Sequence, residues 1–371
     1  MIENYLNEKY LFKYNEILNR TFYKERNTNA DFELLKNYKL NSIKRELNNN
    51  GVSSTVSDLK CLLESDYVPK YNPFSEYFKS LPKWDEKTDY IEELIKTVKT
   101  SNQSDFSWAF KKWLIAMVAC AINEEITNQT ILILTGKQGI GKTTWLKKLV
   151  PDKLSEYFYS GNINPNNKDT TLLMCEKLLI NMDEMASLNK KQVESFKEMI
   201  TKGMISERRA YAHFNENYIR RASFVGSSNH NELLMDVTGN RRFLCFEAFE
   251  IDFKHNIEMD LVYSQVIYLI NEGIFCYHFE KEDIQRLEEN NKMYIQSNEE
   301  LDWIEELFSV ADESDNVHYM NATEVLSYIK KMKNVNTKID IQQIGKIMTS
   351  KGFQRKKIKG SSKYLVSLNQ G

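Results

Sequence analysis

The spacing of hydrophobic positions changes along the chain, and each change predicts a different kind of structure. Over residues 1–70 apolar side chains recur at intervals of three and four, as at Leu35 and Tyr38, which predicts polar, amphipathic helices. The closely spaced Pro69 and Pro73 then stop helix formation. We therefore expect a helical N-terminal region that ends in a linker near residue 70.

Longer apolar stretches dominate the middle of the chain. The segment 106–122 is apolar almost all round, which predicts a helix buried in a core. Short continuous apolar runs then alternate with helical segments, at residues 131–134, 178–180, 222–225 and 243–246. Such runs are typical of strands buried on both faces. The pattern predicts an α/β domain with a parallel sheet, which we place at residues 71–298.

The pattern changes again from residue 299. Three short helices are predicted at residues 301–308, 323–331 and 340–351, and Gly352 is placed to cap the last of them. The segments 353–358 and 363–368 flank the turn at Gly360 as a β-hairpin would. Three helices and a terminal hairpin predict a winged helix at residues 299–371.

Composition adds few constraints. A chain of 371 residues is longer than a single hydrophobic core usually supports, so several domains are expected. The 50 basic and 52 acidic side chains nearly balance, so only their distribution can indicate a polyanionic partner. The five cysteines are scattered, as expected for reduced thiols. No apolar stretch is long enough to span a bilayer, and we predict a cytoplasmic protein that does not enter membranes.

One segment carries chemistry that is specific by itself. It fits the pattern G-x-x-x-x-G-K-[ST] between a predicted strand and a predicted helix, and it consists of Gly136, Lys137, Gln138, Gly139, Ile140, Gly141, Lys142 and Thr143. In such a P-loop, backbone N–H groups surround a β-phosphate, while Lys142 neutralises phosphate oxygens and Thr143 ligates magnesium. We predict that ATP and Mg²⁺ bind here. Thr144 is included in the nucleotide-binding set, with helix packing as its alternative role.

A P-loop needs an acidic partner on a neighbouring strand. The apolar run at 178–180 leads to Asp183 and Glu184, as in a Walker B element. We predict that Asp183 holds the hydrated magnesium and that Glu184 orients and deprotonates the attacking water, which implies hydrolysis. The alternative is a pair of exposed acids in a strand-ending turn.

Two further positions complete the predicted catalytic set. Asn229 follows the apolar run at 222–225, where an amide can sense the γ-phosphate or the attacking water; an ordinary turn residue is the alternative. Arg241 and Arg242 directly precede the run at 243–246. We predict that Arg242, helped by Arg241, acts on the nucleotide of a neighbouring subunit. A surface or structural role is the alternative for both arginines.

The order of these motifs resembles the virulence-associated protein E family of phage and mobile-element replication proteins, which is similar to superfamily 3 helicases of the AAA+ class. The resemblance runs from about Asn72 to Phe249. Beyond the P-loop, the matching segments are residues 71–78, 84–85, 196–201, 208–211, 225–229 and 239–243.

The resemblance implies a ring, most simply a hexamer, with ATP at the subunit interfaces and a hairpin that projects into a central channel. That hairpin corresponds to residues 207–221, with its tip at 213–217, where His213 and Phe214 are the candidate DNA contacts. The usual channel lysine is absent from the tip. Residues 201–222 hold five basic side chains (Lys202, Arg208, Arg209, Arg220 and Arg221) against two acidic ones, which suits a phosphate backbone. An ordinary surface hairpin is the alternative.

The C-terminal residues 351–371 contain six basic side chains and no acidic one. We predict that a basic wing grips duplex phosphates while the helix at 340–351 enters a groove. The predicted contacts are Arg355, Lys356, Lys357, Lys359 and Lys363. Solvated charge or a protein-binding wing is the alternative.

Together these features predict an ATP-dependent DNA helicase that translocates as a homo-oligomeric ring during replication of a phage or mobile element. Its expected partners are single-stranded or forked DNA and other replication proteins. One alternative is a DNA-binding initiator or helicase-loading ATPase without processive unwinding. Another is a nucleotide-dependent scaffold or defence protein.

Overall fold

A computed structural model describes residues 1–161, 163–164, 167–183, 190–209, 214–231, 233–234, 240–295, 299–311, 317–335, 339–358 and 360–369. The chain divides into two compact units, Met1–Ile295 and Gln296–Gly371, which are taken one at a time below. The predicted division of the first unit at residue 70 stays a prediction. No helix among the described residues is both long enough and apolar enough to cross a membrane.

The N-terminal region contains a sheet as well as helices. Its elements are α1 (Ile2–Lys9), β1 (Tyr10–Asn15), β2 (Arg20–Glu25), β3 (Glu33–Leu34), α2 (Asn37–Asn49), α3 (Val56–Leu63) and β4 (Lys70–Tyr71). The strand order is β3-β2-β1-β4, with β1 antiparallel to β2 and parallel to β4. The prediction of an entirely helical region was therefore wrong for residues 10–34. Apolar and aromatic side chains on both faces of β1 and β2 hide the alternation that distinguishes a strand.

The segment that follows leads into the main core. It contains α4 (Pro73–Lys79), α5 (Tyr90–Lys96), β5 (Val98–Thr100) and α6 (Gln103–Ile122). The Asn72 side chain accepts hydrogen bonds from the backbone N–H groups of Phe74 and Ser75, and Pro73 occupies the first helical turn, so α4 has a well-defined start. Helix α6 is buried along nearly its whole length, which confirms the predicted core helix.

A central sheet forms the rest of the first unit. Its further elements are β6 (Ile131–Thr135), α7 (Lys142–Lys148), β7 (Phe158–Ser160), α8 (Lys168–Glu176), β8 (Leu179–Asp183), α9 (Lys190–Met199), β11 (Ser223–Ser227), β12 (Phe243–Ile251), α10 (Met259–Glu272) and α11 (Lys281–Asn291), and the strands β9 (Met204–Glu207) and β10 (Glu216–Ile219) form a separate hairpin. The order is β5-β12-β6-β11-β8-β7, and all neighbouring strands are parallel except β5 and β12. The predicted mixed α/β fold with parallel strands is confirmed.

Alternate residues of the central strands enter two separate hydrophobic clusters. Leu132 and Leu134 of β6 pack with α6 on one side of the sheet, while Ile131 and Ile133 pack with residues of α8 and α9 on the other. Burial on both faces explains the continuous apolar runs. Because β6, β8 and β11 are parallel, the loops that follow them meet at one edge of the sheet.

An antiparallel hairpin is present in the segment expected to reach DNA. Strands β9 (Met204–Glu207) and β10 (Glu216–Ile219) pair, with Glu207 opposite Glu216. Phe214 is exposed beside β10. The predicted contact His213 lies outside the described residues.

The local excess of positive charge is smaller at the surface than in the sequence. Arg220 is fully buried and donates to the backbone carbonyls of Ile200, Asn128 and Ala222. Arg221 is also buried and pairs with Glu124. The expectation that both arginines contribute to a phosphate-binding surface was therefore wrong, because they hold the hairpin base to the core.

The second unit combines helices with a small antiparallel sheet. It comprises α12 (Glu299–Leu307), β13 (Phe308–Val310), β14 (His318–Met320), α13 (Ala322–Lys333), α14 (Ile341–Ser350), β15 (Arg355–Ile358) and β16 (Ser361–Leu368). The predicted helices and terminal hairpin are present, and β16 also pairs with the short strands β13 and β14. Gly352 follows α14 with a φ of +82°, as a helix-ending glycine does. The winged-helix assignment itself stays a prediction.

Candidate nucleotide-binding site

The P-loop connects β6 to α7, and at two of its glycines an added Cβ atom would clash with a neighbouring residue. A Cβ atom at Gly136 would lie 2.2 Å from the backbone oxygen of Ala248. A Cβ atom at Gly141 would lie 2.2 Å from Cδ1 of Phe253. Both glycines have positive φ angles, +132° and +94°, which L side chains avoid. The loop therefore packs tightly against the segment that includes and follows β12.

Lys142 lies at the start of α7 with only 7% of its surface exposed. Its Nζ donates hydrogen bonds to the backbone oxygens of Gly136 at 2.7 Å and Lys137 at 2.8 Å. Burial lowers the pKa of the Lys142 ammonium, because desolvation penalises its charged form. An anionic ligand at this position would restore the favourable environment that the ammonium lacks.

Asn229 meets the same lysine from a different strand. It follows β11, which lies beside β6, so the loops after the two strands converge. Asn229 Oδ1 accepts a hydrogen bond from Lys142 Nζ at 3.1 Å. The amide is otherwise exposed to solvent. This is the position in which a side chain can contact a phosphate group together with the P-loop lysine.

Asp183 ends β8 and is held by two side-chain donors. Ser160 Oγ donates to Asp183 Oδ2 at 2.7 Å, and Asn181 Nδ2 donates to Asp183 Oδ1 at 2.6 Å. Asn181 is fully buried, and its own oxygen Oδ1 has no hydrogen-bond partner among the described residues. These contacts orient the carboxylate toward the strand edge where the P-loop lies.

A chain of oxygen atoms joins Asp183 to the P-loop. Thr143 Oγ1 lies 3.3 Å from Ser227 Oγ, and Ser227 Oγ lies 3.4 Å from Asp183 Oδ1. Hydroxyl and carboxylate oxygens are the ligands that Mg²⁺ prefers, usually with several waters retained. The side chains present therefore fit the predicted magnesium ion. Glu184, the predicted base, lies outside the described residues.

These side chains line one cavity of about 820 Å³. Its walls include Gln138, Gly139, Thr144, His230 and Phe253 in addition to Lys142, Thr143, Asp183 and Asn229. Thr144 is exposed and lines this cavity, so it is not buried by helix packing. A larger cavity of about 1080 Å³ lies between residues 75–86, α6 and α10, and it contains none of the predicted site residues.

The two predicted finger arginines lie at the other end of the strands. Phe243 pairs with Ile131 at the start of β6, whereas the P-loop follows Thr135 at its end. Five residues of extended chain, at roughly 3.3 Å each, separate these levels by roughly 16 Å. Arg241 is exposed and Arg242 half-buried, and burial together with the neighbouring Arg241 lowers the pKa of Arg242. The structure does not bring them to the P-loop of their own chain.

Helix α11 fixes the segment that carries these arginines. Asn291 Nδ2 donates to the backbone oxygens of Asn240 and Phe243 at 2.9 and 2.8 Å. Asn290 Nδ2 donates to the backbone oxygen of Cys245 at 2.9 Å. These hydrogen bonds anchor the backbone on both sides of Arg241 and Arg242 to α11.

Several site residues escaped the sequence predictions. Asn181 is polar within an apolar strand, which was an available signal for a functional role. Ser227 ends the strand before Asn229 and was also recognisable from its position. Ser160 and Phe253 come from other segments, and no local pattern marks them.

The predicted DNA contacts in the second unit differ in their surroundings. The guanidinium of Arg355 lies 4.7 Å from the Tyr364 ring centroid and hydrogen-bonds its hydroxyl. Lys363 Nζ lies 3.1 Å from both Glu324 carboxylate oxygens, so it already has a protein partner. Lys356 and Lys357 lie on the exposed strand β15, and Lys359 lies outside the described residues. Nucleic-acid contact by this group stays a prediction.

This protein is a mixed α/β protein in which a G-x-x-x-x-G-K-T loop follows a central parallel strand. The model of the virulence-associated protein E-like domain family matches residues 78–302, which is more than half of the chain. The chain belongs to this family. No significant match exists among curated protein sequences.

Solved structures show a similar fold. The apo structure of the NrS-1 C-terminal region has 13% sequence identity and a TM-score of 0.51, with 99% of this chain and 98% of that chain covered. An A-form apo structure of the same region gives 13% identity, the same coverage and a TM-score of 0.49. The similarity to the first of these structures, at a TM-score of 0.51 and 13% identity, shows the fold alone.

Proposed function

We propose that this protein is an ATP-dependent DNA helicase that acts as a ring translocase in replication of a phage or mobile element. The observation that carries the proposal is the contact between Lys142 and Asn229 in a cavity that also contains Thr143 and Asp183. P-loop ATPases that do mechanical work need these groups together, because the amide can respond to the γ-phosphate that the lysine neutralises. Membership of the virulence-associated protein E-like family supports the replication role.

The chain's own residues provide distinct roles in hydrolysis. The P-loop N–H groups and Lys142 bind the β- and γ-phosphates, and Asn229 senses the γ-phosphate. Thr143 and Asp183 would hold Mg²⁺, which when bound neutralises charge on the phosphate oxygens. Glu184 is the proposed acceptor of the proton from the attacking water.

The position of the arginines supports an oligomer with an AAA+ type of core. Arg241 and Arg242 lie at the opposite end of the strands from their own P-loop. A guanidinium reaches a nucleotide from there only when it belongs to an adjacent subunit. A closed ring, most simply a hexamer, supplies such a neighbour to every site.

DNA contacts are proposed for both units. In the first, the hairpin β9–β10 carries the exposed Phe214, while Arg208 at its edge is also exposed. In the second, we propose a winged helix in which α14 and the basic strand β15 bind duplex phosphates. Lys357 is the clearest candidate, because it is exposed and makes no hydrogen bond or ion pair within the described residues.

A strand-displacement assay on a forked duplex tests the proposal. Wild-type protein should displace the strand with ATP, whereas Glu184→Gln should bind ATP and fail to displace it. Lys142→Ala should fail at nucleotide binding and serves as a second control. ATP hydrolysis without displacement would replace the helicase with an initiator or loader, and hydrolysis that single-stranded DNA does not stimulate would favour a scaffold.

A further inference from the structure

The N-terminal sheet has one face packed against helices and one face that is not. Tyr10, Phe12, Tyr14 and Tyr23 pack with α1, α2 and α3 in a small hydrophobic core. Side chains of paired residues point to the same side of a sheet, so the opposite face follows from the strand register. We call this the open face, and its residues are Leu11, Lys13, Arg20, Phe22, Lys24, Phe32, Leu34 and Tyr71.

The open face belongs neither to the N-terminal core nor to the cores of the central sheet. One end of β1 is anchored, since Asn15 Nδ2 donates to the Tyr157 hydroxyl at 2.7 Å and to the Tyr71 hydroxyl at 3.1 Å. Leu11, Phe32 and Tyr71 each remain partly exposed. The face is therefore fixed to the rest of the first unit at one end, with Phe22 buried and with Leu11, Phe32 and Tyr71 partly accessible.

Cations on the open face lie against aromatic rings. Lys13 Nζ is 3.8 Å from the centroid of the Tyr71 ring and 4.6 Å from that of Phe32. Lys24 Nζ is 5.2 Å from the Phe32 centroid. Phe22 and Tyr71 pack in a T-shaped arrangement with ring centroids 6.3 Å apart.

These cations have no acidic partner among the residues that the structure describes. Within the fully described N-terminal residues, neither a hydrogen bond nor an ion pair joins Lys13, Arg20 or Lys24 to a carboxylate. The register places Glu25 and Glu33 on the helix-covered side, opposite Tyr10 and Tyr23 respectively. The paired strand residues of the open face include lysine, arginine and aromatic side chains and no acidic one, a combination that favours an anionic ligand with flat, apolar groups.

A single-stranded nucleic acid has this chemistry. Its unpaired bases expose π-faces that stack on aromatic side chains, and its phosphates attract lysine and arginine. A duplex hides its base faces, so it would use the cations and leave the rings without a partner. The match in both charge and stacking selects the single strand.

We propose that the open face binds single-stranded nucleic acid, with bases stacked on Phe32 and Tyr71 and phosphates paired with Lys13, Arg20 and Lys24. The two lysine ammonium groups then leave the rings, which requires only rotation of their flexible side chains. This site goes beyond the proposed helicase activity, because it requires neither nucleotide nor a ring. It gives the N-terminal region a role as a strand-binding module.

Fluorescence anisotropy on the full chain without nucleotide measures the binding. The probes are labelled dT30, U30 and a 30-base-pair duplex. Phe32→Ala should weaken single-strand binding about tenfold through the lost stacking. Lys13→Ala should weaken it and reduce the slope of log K against log salt by about 0.7, the value for one phosphate on a single strand. Comparison of dT30 with U30 identifies the preferred sugar, and preference for either supports the proposal.

Matched variants separate the site from general destabilisation. Lys39 also lies over aromatic rings, 4.9 Å from Tyr10 and 5.2 Å from Tyr23, but on the helix-covered face, so Lys39→Ala should bind as wild type does. Phe32→Tyr keeps the ring and should restore affinity. Lys142→Ala should abolish ATP use and leave this binding intact, so failure of the helicase proposal and failure of this one are distinguishable.

Photocrosslinking locates the contact independently of affinity. Single strands that contain 5-bromouracil should form adducts in residues 10–34 and 70–71, mapped by mass spectrometry. The proposal is overturned if adducts arise only in other segments. It is equally overturned if Phe32→Ala and Lys13→Ala bind dT30 and U30 as tightly as the wild type.

Discussion

Lys142 Nζ and Asn229 Oδ1 lie 3.1 Å apart, although 87 residues separate them in the chain. The contact joins the loops after two adjacent parallel strands, and it links the proposed phosphate-binding lysine to the proposed γ-phosphate sensor.

Asn229→Ala should lower the rate of ATP hydrolysis about 100-fold, the scale seen when one transition-state donor is removed from an active site. Nucleotide affinity should change little, since Lys142 retains its contacts with the P-loop carbonyls. Steady-state ATPase rates and binding of a fluorescent nucleotide measure the two effects. His230→Ala is the matched control, because His230 is exposed in the same cavity. An equal loss of affinity and rate would mean that Asn229 only positions Lys142.

Asn181→Leu should raise the magnesium concentration needed for half-maximal ATPase activity by about 10–100-fold. The reason is that Asn181 orients the Asp183 carboxylate, and loss of such a supporting contact weakens metal sites by this amount. A magnesium titration of the ATPase rate measures the shift.

Asn128→Leu provides the comparison for Asn181→Leu. Asn128 is likewise buried and polar, but its side chain bonds Ser223 and Thr130 instead of Asp183. This variant should lose stability with no change in magnesium dependence. Identical titration curves for both variants would remove Asn181 from the site.

Gly141→Ala should destabilise the first unit by about 2–5 kcal/mol, from left-handed backbone strain and the clash with Phe253. Gly139→Ala should lose only about 1–2 kcal/mol, because it has a similar φ and open space around its Cβ position. Urea unfolding followed by tryptophan fluorescence compares them, with the buried Trp145 in α7 as a nearby reporter. Addition of Phe253→Ala should recover part of the Gly141→Ala loss. Equal losses for the two glycines would contradict the close packing.

Arg242→Ala and Lys142→Ala subunits should each be inactive alone and regain some ATPase activity when mixed. Mixed rings contain interfaces that pair an intact P-loop with an intact finger from the adjacent subunit. The rate should rise with the fraction of such interfaces, measured over a series of mixing ratios. Mixed rings verified by mass that stay inactive would exclude a role for Arg242 in trans.

Lys357→Ala should weaken duplex binding and reduce its salt slope by about 0.9, the value for one phosphate on B-DNA. Lys363→Ala should have a smaller effect on the slope, because Lys363 already pairs with Glu324. Its main effect should be on the stability of the second unit. Salt titrations of duplex affinity and thermal melting distinguish the two variants. A larger slope change for Lys363→Ala would show that its ion pair opens on binding.

Local patterns in the sequence were informative wherever one element provides the whole signal. The sequence predicted a buried helix at 106–122, which the structure has at 103–122, and a strand at 131–134, which the structure has at 131–135. The glycine-rich loop lies between this strand and α7, as predicted. The N-terminal strands failed this test. Both faces of β1 carry apolar or aromatic residues, so no alternation distinguishes it from a helix.

The number of basic residues in a segment did not predict which of them are exposed and unpaired. Arg220 was counted in the basic excess beside the predicted hairpin contacts, and Lys363 was itself a predicted contact. Arg220 is buried against backbone carbonyls, and Lys363 is paired with Glu324. Burial and pairing depend on segments far along the chain, which composition cannot report. Lys13 shows the converse, since only the register of β1 and β4 places its ammonium over Tyr71.

By itself the sequence determined that a glycine-rich loop joins a buried strand to a helix, that an acidic and an amide group follow two later strands, and that two arginines precede another. Tertiary structure decided which of these meet. Parallel pairing of β6, β8 and β11 brings Lys142, Asp183 and Asn229 to one edge, while β12 places Arg242 at the other. The physical reason is that strand order and register depend on packing across the whole sheet, which no single segment encodes.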